Sequence, residues 1–189
     1  MKRTQSWIAK ISAVVVAVFG LAMTTANAVE PVKAEFPVLV TSFGQAPDGN
    51  TITVLAKRIG AQLTYDTLAT PEKVKEFKTV IVSIGVSLKG FGAAGVNLDT
   101  EIARAADILK VAKDDNIKVI GFHIGGEGRR DQMSDKIIET YAGDFDTLVV
   151  YKDGNQDGIF TKIAQEKNIP FIELEKLPQV SEVLKQILK

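Results

Sequence analysis

One stretch of this sequence concentrates side chains able to hold an anion or move a proton: Phe122-His123-Ile124-Gly125-Gly126-Glu127-Gly128-Arg129-Arg130-Asp131. His123 is the chain's one histidine, so any imidazole acid–base step must use it. At the end of an apolar run it suits either catalysis or a hydrogen-bonded structural role. Gly125 and Gly126 let main chain approach a ligand closely. Arg129 and Arg130 then lead into a helical pattern, where cations oppose the helix dipole. That cost is offset if they grip a carboxylate, phosphate or sulfate. It is equally offset if they pair with Glu127, Asp131 or Asp135 in a surface network.

Three other polar stretches add to it. Thr41-Ser42-Phe43-Gly44-Gln45-Ala46-Pro47-Asp48-Gly49-Asn50 offers hydroxyls, an amide and a carboxylate before a helix start, a place that favours anions. Asp153-Gly154-Asn155-Gln156-Asp157-Gly158 matches the first half of a calcium loop, but the twelfth position is Ala164 where a bidentate Glu belongs. It reads as a turn with a helix cap, leaving Asn155 and Asp157 able to face a ligand. Gly90 to Gly95 spells G-x-G-x-x-G. The dinucleotide reading fails because these glycines do not directly follow a strand, and no acid closes the next strand to meet a ribose. A flexible flap is expected there instead, with Lys89 placed to meet an anion.

Other chemistries are excluded or unsupported. There is no cysteine, so thiol, zinc-thiolate and disulfide chemistry are absent. No G-x-S-x-G elbow occurs. His123, Glu127 and Asp131 are spaced by four, but the intervening glycines argue against one helix carrying them. We therefore expect neither a metal nor a cofactor.

These loops need a scaffold. Apolar runs of strand length fall at Val38–Thr41, Leu63–Tyr65, Thr79–Ile84, Lys118–Ile124, Thr147–Tyr151 and Phe171–Leu174. Six helical patterns alternate with them. Gly60 stands at a C-terminal cap and Thr70-Pro71 at an N-terminus. Asp99 is placed to cap the next helix, and Met133, Ile137, Ile138 and Tyr141 form an inner face. Such alternation predicts a three-layer αβα sandwich, flavodoxin-like or Rossmann-like, on a mostly parallel sheet of about six strands. The favoured order is 2-1-3-4-5 with the sixth strand at the far edge. Loops after strands are long, glycine-rich and polar, whereas those before strands are short and charged, so the ligand edge is the carboxyl edge.

Residues 1–28 carry Lys2, Arg3 and Lys10, a short apolar run from Ile11 to Met23, and Ala26-Asn27-Ala28. This is the pattern of a signal peptide, and the apolar run is short for a membrane span. The chain is expected to act in the periplasm or outside the cell, with residues 29–36 as a lead-in and 37–189 as one α/β domain. The whole chain has 23 cations and 23 acids; residues 1–28 hold three of the cations and no acid, leaving a net charge of −3 beyond them. That balance does not suit a nucleic-acid binder.

The segments from Thr41 to Asp48 and from His123 to Arg130, with Ser134-Asp135 shortly after, resemble motifs of an uncharacterised family of exported bacterial α/β proteins. The resemblance implies export and joint action of the loops after strands one, four and five, but carries no activity. The expected function is binding of a small anionic metabolite, as an accessory to a membrane transporter or sensor. Ser42, Gln45, Lys89, Gly125, Gly126, Glu127, Arg129, Arg130, Asn155 and Asp157 are the expected contacts. The alternative is a hydrolase or transferase with His123 as acid or base.

Overall fold

The structure is a computed structural model that describes residues 30–189; the segment read as a signal peptide, residues 1–28, lies outside the described residues. Six strands form one parallel sheet in the order β2-β1-β3-β4-β5-β6, the order favoured above. They are β1 (Val38–Phe43), β2 (Thr64–Tyr65), β3 (Thr79–Ile84), β4 (Lys118–His123), β5 (Thr147–Tyr151) and β6 (Phe171–Leu174). The central strands β1 and β3 are buried along their whole length. That explains why they read as continuous apolar runs rather than alternating ones.

Helices cover both faces. The helices α1 (Asp48–Arg58) and α7 (Gln179–Ile187) pack on one face around Val40, Ile81, Ile120 and Phe122. On the other face lie α4 (Leu98–Asp114), α5 (Gln132–Tyr141) and α6 (Ile159–Lys167), around Leu39, Val80, Val82 and Leu148. The short α2 (Pro71–Val74) and α3 (Leu88–Ala94) extend that second layer. Thr70 caps α2 by accepting from the Lys73 N–H, ahead of Pro71.

Several details depart from the sequence reading. Residues 88–94 form a helix, not a flap. Ser87 caps it by accepting from the Gly90 N–H, and Gly95 ends it at φ 69°. Gly90 lies so near the loop after β1 that a Cβ would stand 2.3 Å from the Gln45 carbonyl oxygen, so this glycine serves packing. The cap of α4 is Asn97 rather than Asp99, in a reciprocal capping box with Thr100. Met133 is partly exposed instead of joining Ile137 and Ile138 in the core. The first strand continues to Phe43, which places Ser42 inside it.

The lead-in crosses beneath the amino ends of the strands. The Val32 N–H donates to Thr147 Oγ1 (3.0 Å), the Glu35 N–H to Thr79 Oγ1 (2.8 Å), and the Ala34 N–H to the Ile187 carbonyl (2.7 Å). Among the described residues no helix is long and apolar enough to cross a membrane.

Candidate functional site

In this strand order the chain reverses direction across the sheet between β1 and β3, where a crevice for ligands is usual. Here that crevice is filled. The loops after β1 and β3 zip together through a Gln45–Val86 bridge, and the Ser87 N–H donates to the Gly44 carbonyl at 2.9 Å. Gly44 sits at φ 103°, and any Cβ there would meet the Gly85 carbonyl oxygen at 2.4 Å. Beneath the bridge lies Glu101 of α4, only 1% exposed. Its carboxylate accepts from the Gly44 N–H (2.9 Å), Gln45 Nε2 (3.1 Å) and Arg104 Nε (2.8 Å). Arg104 in turn donates to the carbonyls of Ser42 and Ala69. Gln45 Nε2 also reaches the Thr67 carbonyl (3.0 Å), so its amide holds the loops rather than facing a ligand. Ser42 is buried and donates to main-chain carbonyls. Neither Glu101 nor Arg104 stands out in the sequence, because a helical Glu-x-x-Arg usually reads as a surface pair.

The loops after β4 and β5 are joined by a second clamp, built on Arg130. Its Nε donates to Asp135 (2.7 Å), Nη1 to the Gly154 carbonyl (2.6 Å), and both terminal nitrogens grip Asp157 at 3.1 and 2.7 Å. Arg130 is therefore committed within the protein and does not share an anion site with Arg129. The carboxylates hold its guanidinium well above its ordinary pKa, Asp157 first among them, and Arg130 holds the Asp157 carboxyl below the usual range. Asn155 is likewise occupied. Its Nδ2 donates to Thr161 and Glu173 (both 2.8 Å), and its Oδ1 accepts from the Phe160 N–H at the start of α6. Asp153, in the calcium-like segment, accepts from the Glu127 N–H (3.0 Å). Among the described residues no three His, Cys, Asp or Glu side chains gather to hold a metal ion.

His123 lies under this clamp and has no solvent-accessible surface. Its Nδ1 is 2.9 Å from the Ile84 carbonyl oxygen, and its ring stacks at a tilt on Phe160, 5.0 Å between centroids. Gly154 covers the other edge so closely that a Cβ there would come within 2.5 Å of Nε2. Burial lowers the imidazole pKa and so favours the neutral ring.

What remains open is a cleft of about 600 Å³ at the carboxyl edge, between the first turns of α1 and α7. Its apolar walls are Leu55, Ile124, Leu177, Pro178 and Val180, and its polar members are Asp48, Thr51 and Arg129. Arg129 makes no ion pair among the described residues. Its single side-chain hydrogen bond there, from Nη1 to the Gly128 carbonyl, spans 3.5 Å, and its Nε is buried without a partner. Asp48 Oδ2 is also buried and unpartnered among these residues. Burial pushes the Asp48 carboxyl up, opposed by the positive charge of Arg129. Gly125 floors the space between them. A Cβ on it would strike Arg129 Cγ at 2.1 Å and stand 2.9 Å from Asp48 Oδ2. Thus of the predicted contacts only Gly125 and Arg129 line this cleft. Gly126 and Glu127 lie in the adjoining turn, and Lys89 is exposed on α3. The sequence marks Asp48 as a carboxylate at a helix start without singling it out as a contact. A larger groove of about 900 Å³ lies at the opposite edge, where Lys113, Lys167, Asp144 and Asp146 mix their charges.

Fold and site together define a three-layer α/β protein with an amphipathic cleft at the carboxyl edge of its sheet. The chain belongs to the family of a domain of unknown function, DUF6305, which matches residues 35–188. No curated protein matches the sequence. Among solved structures it is similar to a GDSL-like lipase from Bacteroides thetaiotaomicron, with 16% identity and a TM-score of 0.35 over 72% of this chain and 66% of that one. It is also similar to Streptococcus suis SuiB bound to S-adenosylmethionine (12%, TM-score 0.39, 79% and 48%). A third is a GDP-L-fucose synthetase from Naegleria fowleri bound to NADP (11%, TM-score 0.33, 76% and 50%). The chain thus spans just under two thirds of the lipase and about half of the other two.

Proposed function

We propose that this chain is an exported binding protein that holds a small anionic metabolite in the cleft between α1 and α7 and passes it to a transporter or sensor. The observation that carries the reading is Arg129, a guanidinium lining the cleft with no ion pair among the described residues. Most guanidinium groups this close to the interior are paired, as Arg130 and Arg104 are. Two helices start beside it, α1 after Pro47 and α7 after Pro178, and neither has a side-chain cap. Their N-terminal N–H groups favour negative charge. Export rests on the sequence of residues 1–28. The hydrolase or transferase alternative needs an imidazole edge that substrate can reach, whereas Ile84, Phe160 and Gly154 enclose His123.

The test is thermal unfolding against a panel of carboxylates, phosphates and sulfates. A ligand at one hundred times its dissociation constant adds about 2.7 kcal/mol, on the order of 5–10 °C for a protein of this size. The shift is expected to disappear in Arg129→Ala. A shift that survives that substitution would overturn the site, and a flat panel would overturn the ligand class.

A further inference from the structure

The cleft has more character than an anion site requires. A bare phosphate or sulfate pocket is polar throughout, with several donors and no acid facing the ligand. Here one cation and one acid line the cleft beside Gly125, and neither forms an ion pair among the described residues. The remaining walls, Leu55, Ile124, Leu177, Pro178 and Val180, are apolar. Leu177 is 45% exposed although it lines a concave surface. A complementary ligand therefore carries an anion for Arg129, a cationic or neutral donor for Asp48 close beside it, and an apolar body.

We infer that the ligand is an α-amino acid with an apolar side chain, its carboxylate on Arg129, its ammonium on Asp48 and its side chain against Leu177 and Val180. This assignment rests on the reading of the cleft as an anion site. In an α-amino acid a single carbon separates the two charges, and Arg129 and Asp48 line one cleft, the stem of Arg129 and Asp48 Oδ2 both lying against Gly125. An ammonium on Asp48 also supplies the partner that its buried Oδ2 lacks among the described residues. A carboxylate alone would leave that oxygen unpaired and bring two negative groups together.

Calorimetric titration of the purified protein tests this with L-leucine, L-methionine and L-phenylalanine. The comparison probes are glycine, which lacks the apolar body, 4-methylpentanoate, which lacks the ammonium, and 3-methylbutylamine, which lacks the carboxylate. At least one of the three apolar amino acids is expected to bind, and each comparison probe to bind about tenfold or more weakly. Asp48→Asn is expected to weaken the amino acid by a similar factor and to tighten 4-methylpentanoate, whose carboxylate no longer meets a second negative charge, with circular dichroism confirming the fold. If 4-methylpentanoate or a phosphate binds as tightly as the amino acids, the amino-acid assignment fails and the anion reading stands. If no anionic probe binds, both fail.

Discussion

Arg129 and Arg130 are neighbours in sequence and are predicted to have opposite phenotypes. Arg130→Ala removes a guanidinium that is only 12% exposed and four of its contacts. Asp135 and Asp157 are 37% and 55% exposed, so solvent screens both pairs and each contributes about 0.5 kcal/mol. The Gly154 carbonyl is in a buried residue and loses its donor, which costs about 1–2 kcal/mol. The guanidinium also lies 5.9 Å from the Phe160 ring centre, a contact of about 0.5 kcal/mol. The expected loss is about 3 kcal/mol, or roughly 6–12 °C in Tm. Arg130→Lys keeps the charge but not the fork and should recover less than half of it. The pH dependence has a defined sign. The Asp157 pKa is depressed in the folded protein, so its stabilisation is complete above the ordinary aspartate value of 3.8 and is lost as pH falls below it. Urea denaturation at pH 7 and at pH 3 should therefore show a smaller difference between wild type and Arg130→Ala in acid. Arg129→Ala should change stability by about 1 kcal/mol or less, because it breaks no ion pair among the described residues and removes only its favourable charge near Asp48, yet abolish ligand binding. The reasoning is refuted if Arg130→Ala unfolds like wild type, or if it removes binding while Arg129→Ala does not.

Glu101→Ala leaves Arg104 buried without its carboxylate and should cost about 3–5 kcal/mol in urea denaturation. Glu101→Gln keeps an acceptor for the Gly44 N–H and should recover part of that loss. His123 is held neutral by burial while the unfolded chain takes up a proton below pH 6.5, so stability should fall as pH drops from 6.5. The slope can be no steeper than about 1.4 kcal/mol per pH unit, and in His123→Asn this part of the Tm–pH profile should flatten. Within α3, Gly92→Ala meets nothing within 4 Å and should stabilise by about 0.5–1 kcal/mol, while Gly90→Ala strikes the Gln45 carbonyl and should destabilise, as paired melting curves would show.

The scaffold was legible because its signals are local. Val- and Ile-rich runs, a proline after Thr70 and a glycine after Ile59 mark elements whatever the tertiary packing. The helix at 88–94 was hidden because Gly90 and Gly92 are poor helix formers; its start is fixed by Ser87 and its place by the approach of Gly90 to Gln45. Such contacts join residues far apart in sequence and leave no periodic trace. The same limit governs the site. Periodicity finds the carboxyl edge, and residue type finds the arginines. Which arginine is committed depends on Asp157, 27 positions away. That Gln45 is spent inside the molecule depends on Glu101, 56 positions away.

The lead-in beneath the sheet has a consequence for orientation. The Ala34 N–H bonds to the Ile187 carbonyl, so both ends of the described chain leave from the side remote from the cleft. α7 joins the two sides, with Pro178 at the rim and Ile187 at the base. Whatever moors the molecule through residue 30 or residue 189, whether a fusion partner, a solid support or a surface, therefore points the mouth of the cleft outward. Either end can be fastened down while the mouth stays accessible from solution.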